Sequence, residues 1–228
     1  MNDKNIFLQF LYLLSSKDIS KYLYLEGGAA LSFIYNLDRV FSNDLDFTIE
    51  DYQLRSELFD VVEEIAVKLN KKYVCDADPN KIIIKDDKEV ILEIDFYPLS
   101  AKLFSWEDKG LEYNKKGFSV KTHSLEDIFA EKISNIFQEN RSEFKDVFDI
   151  NKIYDILIDD LDKEKFKIYL HEKLLGKKIY KKIKNDPISL LNDRKVSFRE
   201  SYASYAIKDS LNFEVQFSEI CKIIKIFL

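Results

Sequence analysis

"YLYLEGGAALSFIYNLDRVFSNDLDFTIED", residues 22–51, decides the reading of this chain. Two features in it cost stability. Gly27 and Gly28 stand side by side ahead of a helical pattern in a chain with only 5 glycines, and adjacent glycines give up conformational entropy on folding. Asp44 and Asp46 then sit one residue apart in an apolar run, where two carboxylates on one strand face repel each other unless a cation lies between them. A sequence that keeps both has a use for them.

Local patterning surrounds this stretch with regular elements. Residues 5–16 have helical apolar spacing, and "KYLYLEGG" is a short strand that breaks at the glycines. "GAALSFIYNL" predicts a helix starting on Gly28. "DLDFTIE" alternates, with Leu45, Phe47 and Ile49 on one side and Asp44, Asp46 and Thr48 on the other. The acidic side is the functional side. "QLRSELFDVVEEIAVKLNKK" predicts a helix, and "KIIIKDD" and "EVILEIDFYPL" a strand pair joined by a charged turn at Asp86 to Lys88. Glu93, Asp95 and Tyr97 share one face of the second strand. "GFSVKTHS" is a further strand, and it leads into "SLEDIFAEKISNIFQENR", a helix whose Ser124 and Asp127 have the spacing of a capping box. Beyond it the pattern is helical, most clearly over 144–158, 162–183 and 213–227.

The chain therefore reads as an α/β (α+β) half, residues 1–120, followed by a mostly α-helical half, residues 121–228. Its 228 residues, 46% hydrophobic and 14% aromatic, suffice for a packed core. No repeat, low-complexity tract or run of about 20 apolar residues is present, so no membrane partner is expected. The opening segment "MNDKNIFLQFLYLLSSKD" has an apolar centre, but Gln9 interrupts it and no small-residue cleavage site follows; it reads as a packed amphipathic helix. Cys75 and Cys221 are far apart and in no metal-ligand spacing, which predicts two buried free thiols in a cytoplasmic protein.

The formal net charge of −6 and pI near 5.2 argue against a protein that coats nucleic acid. "KLLGKKIYKKIKND", residues 173–186, is a local exception. It reads first as a solvated helix surface, with a phosphate-backbone contact surface as the functional alternative. His123 and His171 are the only histidines and have no evident Ser/His/Asp or Cys/His pairing, which disfavours hydrolytic nucleophile chemistry.

The chemistry that fits is nucleotidyl transfer. Backbone N–H groups at a glycine-led helix start can receive phosphate, while Asp44, Asp46 and a third strand carboxylate offer the hard oxygen ligands magnesium prefers. Two such ions would neutralise charge during in-line displacement at phosphorus. Asp95 in "LEIDFYP" is the best third carboxylate, since an unpaired charge on a core strand is costly, and Glu93 is the fallback. Taken singly, each of these acids reads as a surface charge or a salt-bridge partner.

"GGAALSFIYNLDRVFSNDLDF" resembles the first motif of the AbiEii/AbiGii group of nucleotidyltransferase-like toxins, in which a strand ends in Gly-Gly, a helix follows, and Ser-x-Asp-x-Asp enters the next strand. "LEDIFAEKISNIFQENRSEFKDVFDI", residues 125–150, resembles that group's later motif: Ala-x-Lys on a helix, an arginine further on, then Lys/Arg-Asp-x-x-Asp. The resemblance covers residues 22–157. It implies a nucleotidyltransferase-like fold with a small mixed sheet flanked by helices, and a helical domain that completes the active site.

It further implies that Gly27, Gly28 and Ser42 line the triphosphate of an NTP, that Asp44, Asp46 and Asp95 hold two Mg2+ ions, and that Lys132 reaches the nucleotide phosphates. Asp146 completes the set by orienting Lys132 or acting near the incoming hydroxyl, and Arg141 and Asp149 brace the helical pair. The family often has an arginine two residues before the motif serine; this chain has Val40 there and Arg39 one position off. Residues 160–228 match nothing in the resemblance.

The function implied is the toxin of a bacterial type IV toxin–antitoxin or abortive-infection (phage defence) system. It would transfer NMP from an NTP to RNA, the tRNA 3′ end among the acceptors, with a cognate antitoxin protein as partner. Transfer to a small hydroxylated molecule, as in antibiotic-modifying enzymes, and a non-catalytic nucleotide-binding module are the alternatives.

Overall fold

Alternating apolar side chains build the first part of the chain and 3.6-residue periodicity the second. The structure is a computed structural model describing residues 3–39, 44–75, 78–99, 104–205 and 212–228. Among these residues are ten α-helices and one seven-stranded mixed sheet. The chain divides into two compact units, residues 1–102 with 106–124, and residues 103–105 with 125–228.

The first unit holds the sheet. Its strands are β1 (Leu23–Glu26), β2 (Asp44–Ile49), β3 (Lys72–Cys75), β4 (Lys81–Asp86), β5 (Glu89–Pro98), β6 (Trp106–Tyr113) and β7 (Lys116–His123), in the order β3-β4-β5-β2-β1-β7-β6. The β2–β5 and β1–β7 pairs are parallel and the others antiparallel. This sheet is larger than the small one expected, because β3 and β6 extend it at both edges. Helices α1 (Asp3–Ser15) and α3 (Arg55–Lys68) pack against each other, with α1 also touching β5, β6 and β7 and α3 touching β3. The expected helix over 28–37 is shorter, α2 (Gly27–Phe33); Asn36 takes a left-handed φ of 55°, which turns the chain out of the helix.

Leu45, Phe47 and Ile49 are buried as their alternation requires. Phe47 stacks on Phe96 with ring centroids 6.4 Å apart, Phe59 of α3 meets Phe96 at 6.1 Å, and Phe7 of α1 meets Phe33 at 5.5 Å. The buried rings Phe7, Phe47 and Phe96 each contribute roughly 1.5–3 kcal/mol by leaving water. That anchors β2 and β5 by one face and turns Asp44, Asp46 and Asp95 to the other.

The second unit is helical: α4 (Leu125–Ile136), α5 (Phe144–Leu157), α6 (Lys163–Leu175), α7 (Tyr180–Asn185), α8 (Pro187–Asp193), α9 (Lys195–Tyr205) and α10 (Phe213–Phe227). Phe166 joins Phe129 at 4.8 Å and Phe227 at 4.9 Å, and Phe144 joins Tyr202 at 4.8 Å, so aromatic rings tie α4, α5, α6, α9 and α10 together. Asp162 and Asn212 accept backbone N–H groups at the starts of α6 and α10. The single helix expected over 162–183 is two, because Gly176 follows α6 and the chain turns before α7. The Cys221 thiol is half-buried rather than buried, and the Cys75 side chain lies outside the described residues. No described helix is long and apolar enough to cross a membrane.

Candidate active site

Strand register sets the acidic face of the first unit. Glu26 of β1 lies directly opposite Asp46 of β2, Asp46 opposite Asp95 of β5, and Asp95 opposite Lys81 of β4. Directly opposed residues present their side chains to the same face, so these four form a row across four adjacent strands. Asp44 is one step along β2 on the same face, opposite Glu93. Acids therefore outnumber bases along this part of the sheet.

The electrostatics follow from that crowding. Burial pushes the Asp95 carboxyl above its ordinary range, the Lys81 ammonium pulls it back, and Asp44 and Glu93 push it further up. Lys81 Nζ lies 2.9 Å from Glu93 Oε2 and 3.5 Å from Asp95 Oδ2. The Tyr97 hydroxyl, on the same face, is pushed up to about 12 by burial and then by Asp95, Asp46 and Glu26.

At the other end of the row, Glu26 Oε2 accepts the Thr48 hydroxyl at 2.8 Å. His123 Nε2 lies 3.1 Å from Thr48 Oγ1 and 3.5 Å from Glu26 Oε2. No sequence spacing connects these residues; only the pairing of β1 with β2 and β7 does. His123, which had no partner in the sequence, thus gains two polar neighbours here.

Asp44, Asp46 and Asp95 fit a divalent metal in donor type, face and register: hard carboxylate oxygens side by side on one face of the sheet. Among the described residues no three His, Cys, Asp or Glu side chains stand close enough together to hold an ion as they are. The carboxylates share a face without converging.

Both glycines serve contacts within the protein. Gly27 has φ +62°, a conformation that penalises any side chain, and a Cβ there would come within 2.8 Å of Asp46 Oδ2. A Cβ on Gly28 would lie 2.6 Å from the guanidinium carbon of Arg39. Gly27 thus lets the Asp46 carboxylate abut the chain, and Gly28 lets the Arg39 cation do so. Ser42 and Val40 lie outside the described residues.

The helical unit carries a second polar cluster, built differently. Lys132 of α4 is buried, with Nζ 2.8 Å from Asp146 Oδ1 and 2.9 Å from Asp149 Oδ2, both on α5. Arg141 Nε reaches Asp146 Oδ2 at 3.1 Å. Burial alone would raise the Asp146 carboxyl, but Lys132 and Arg141 outweigh it and hold the group below the usual carboxylate range. Asp146 and Asp149 are one helical turn apart on α5, so a single ammonium can meet both.

The lysine-rich stretch 173–186 is not one basic surface. Lys173 reaches Asp127 Oδ1 at 3.1 Å and Glu131 Oε2 at 3.0 Å, tying α6 to α4. Lys177 is half-buried, and burial lowers its pKa. Lys178, Lys181, Lys182 and Lys184 are exposed.

None of the curated proteins compared with this chain matches it. Among solved structures, the antibiotic-resistance factor ANT(2'')-Ia, described in solution as having substrate-regulated conformation dynamics, aligns at 14% identity over 88% of this chain and 93% of its own, with a TM-score of 0.37. That likeness is too slight to carry an argument. The family model for the nucleotidyl transferase AbiEii toxin of type IV toxin–antitoxin systems matches residues 9–209, which span the acidic strand face and the Lys132–Asp146–Asp149 cluster alike. The chain belongs to the AbiEii family of nucleotidyl transferase toxins.

Proposed function

We propose that this protein transfers NMP from an NTP to an RNA acceptor, the tRNA 3′ end being the first to test, with Asp44, Asp46 and Asp95 as the ligands of two Mg2+ ions. The observation that carries this reading is the row of carboxylates in register across β1, β2 and β5, turned away from the phenylalanine core. Bound divalent ions supply charge neutralisation at the transferring phosphoryl group. What the chain itself contributes is orientation. Phe47 and Phe96 anchor the strands beneath the acids, so Asp46 and Asp95 keep their heights when a polyanion arrives.

Gly27, Gly28 and Ser42 belong to the triphosphate side of this reading. Arg39, lying on Gly28, supplies there the cation that the family often carries two residues before the motif serine. An arginine presents a rigid fork to phosphate oxygens. Lys132 remains the candidate for the nucleotide phosphates, with Asp146 as the residue that orients its ammonium. The exposed Lys178, Lys181, Lys182 and Lys184 suit an RNA backbone, which needs positive charge and no base reading. A cytoplasmic toxin restrained by a cognate antitoxin protein is the setting consistent with the family.

The experiment is to incubate the full chain with total bacterial RNA, Mg2+ and each α-labelled NTP in turn, beside Asp44→Asn/Asp46→Asn. Label in RNA with one NTP, lost in the variant, supports the reading. Label in a small hydroxylated acceptor instead replaces the acceptor. No label anywhere from folded protein leaves a nucleotide-binding module.

A further inference from the structure

The acidic row ends on a base. Lys81 stands directly opposite Asp95 and splits its ammonium between Glu93 Oε2 at 2.9 Å and Asp95 Oδ2 at 3.5 Å. The tighter contact is to Glu93, whose side chain is 37% exposed, and the looser one to Asp95, which is 13% exposed. A cation placed this way offsets the charge of a crowded carboxylate set in the absence of metal. It also ties Asp95 to β4 across the sheet.

We propose that Lys81 is a positioning residue: it holds Asp95 in the metal-free protein and releases it to a divalent ion, staying anchored on Glu93. The inference rests on the reading that Asp44, Asp46 and Asp95 bind metal. The two contacts divide the work. Were Lys81 bound to Asp95 alone, metal uptake would strand a half-buried ammonium beside a second cation. Glu93, one step away on the same face and in register with Asp44, gives it a place to stay. The repulsion between the ammonium and the incoming ion persists, so Lys81 sets the metal affinity below what the carboxylates alone would give.

Mn2+ titration calorimetry on the full chain, with thermal melts in the presence and absence of Mn2+, tests this. Lys81→Met is expected to bind Mn2+ more tightly, on the order of tenfold, and to melt lower than wild type without metal. A lysine that only repelled the ion would raise the affinity on removal and leave the metal-free melting temperature unchanged, so the lower metal-free melt separates the two roles. Equal or weaker affinity in folded Lys81→Met, or an unchanged metal-free melt, overturns the inference. Should that variant not fold, Lys81→Gln decides by the same two readings. Wild-type Mn2+ binding that is indifferent to Asp44→Asn, Asp46→Asn and Asp95→Asn overturns the metal reading itself, and this inference with it.

Discussion

The acidic strand face and the helical cluster both gather charged side chains, and they do opposite things with them. On α4 and α5 the charges balance: Lys132 and Arg141 meet Asp146 and Asp149, and all but Arg141 are buried. On the sheet acids prevail in the strand register: Glu26, Asp44, Asp46, Glu93 and Asp95 share a face, Lys81 contacts Glu93 and Asp95, His123 lies beside Glu26, and Arg39 lies against Gly28. A balanced buried cluster is held by its own partners and breaks expensively when one is removed. A partly exposed, acid-rich face keeps an electrostatic demand that a ligand can meet. The helical cluster, whatever Lys132 gives to nucleotide binding, is therefore expected first in the stability of the protein, and the strand face in its chemistry.

Removing Lys132 should break the comparison most violently. Lys132→Met leaves Asp146 and Asp149 buried with Arg141 as the remaining base, and is expected to lose about 3–5 kcal/mol in urea denaturation. A loss within about 0.5 kcal/mol would mean that the cluster is not structural. Gly27→Ala comes next: the positive φ and the approach to Asp46 Oδ2 predict about 1–3 kcal/mol of destabilisation together with loss of activity, read by melting and by label transfer.

The two clusters should also part in acid. Asp146 is held below its ordinary pKa by Lys132 and Arg141, so the stability it provides is fully present above the unfolded value near ~4 and is lost as pH falls through the lower folded value. Urea midpoints of wild type and Asp146→Asn should differ by a constant amount from neutral pH down to about 4, and approach each other below it. The smallest effect on folding belongs to the lysines. Changing Lys178, Lys181, Lys182 and Lys184 to Glu should move stability by less than about 0.5 kcal/mol while weakening RNA binding and flattening its salt dependence, measured by filter binding across a salt series. Unchanged RNA affinity would remove this surface from the account.

Much of the sheet was legible because its strands alternate around a buried face: β2, β4 and β5 follow from Leu45, Phe47, Ile49, Ile82, Ile84, Ile94 and Phe96. The edges were not. β3 is only 4 residues, "KYVC", and follows a helix without a Gly or Pro break. β6, "WEDKGLEY", lies at the sheet edge and is half-exposed along its length, so it shows no apolar run. In the candidate site, Asp44, Asp46 and Asp95 stood out as acids where acids cost energy. Lys81, Glu26, Thr48 and His123 did not, because each gains its role from register that spacing along the chain does not encode, and Arg39, noticed one position off the family's arginine, shows its place only in its approach to Gly28. The basic segment misled for the opposite reason: lysine composition is visible in sequence, but the burial of Lys173 between Asp127 and Glu131 is a tertiary fact.

Label transfer by Asp46→Asn beside wild type, with melting temperatures for both, tests the account most directly. Asp46 is the centre of the acidic row, so the expected result is label reduced about 100-fold or more in a variant whose melting shows that it is folded. Label retained within about threefold by a variant that melts normally would contradict the assignment of nucleotidyl transfer to this face.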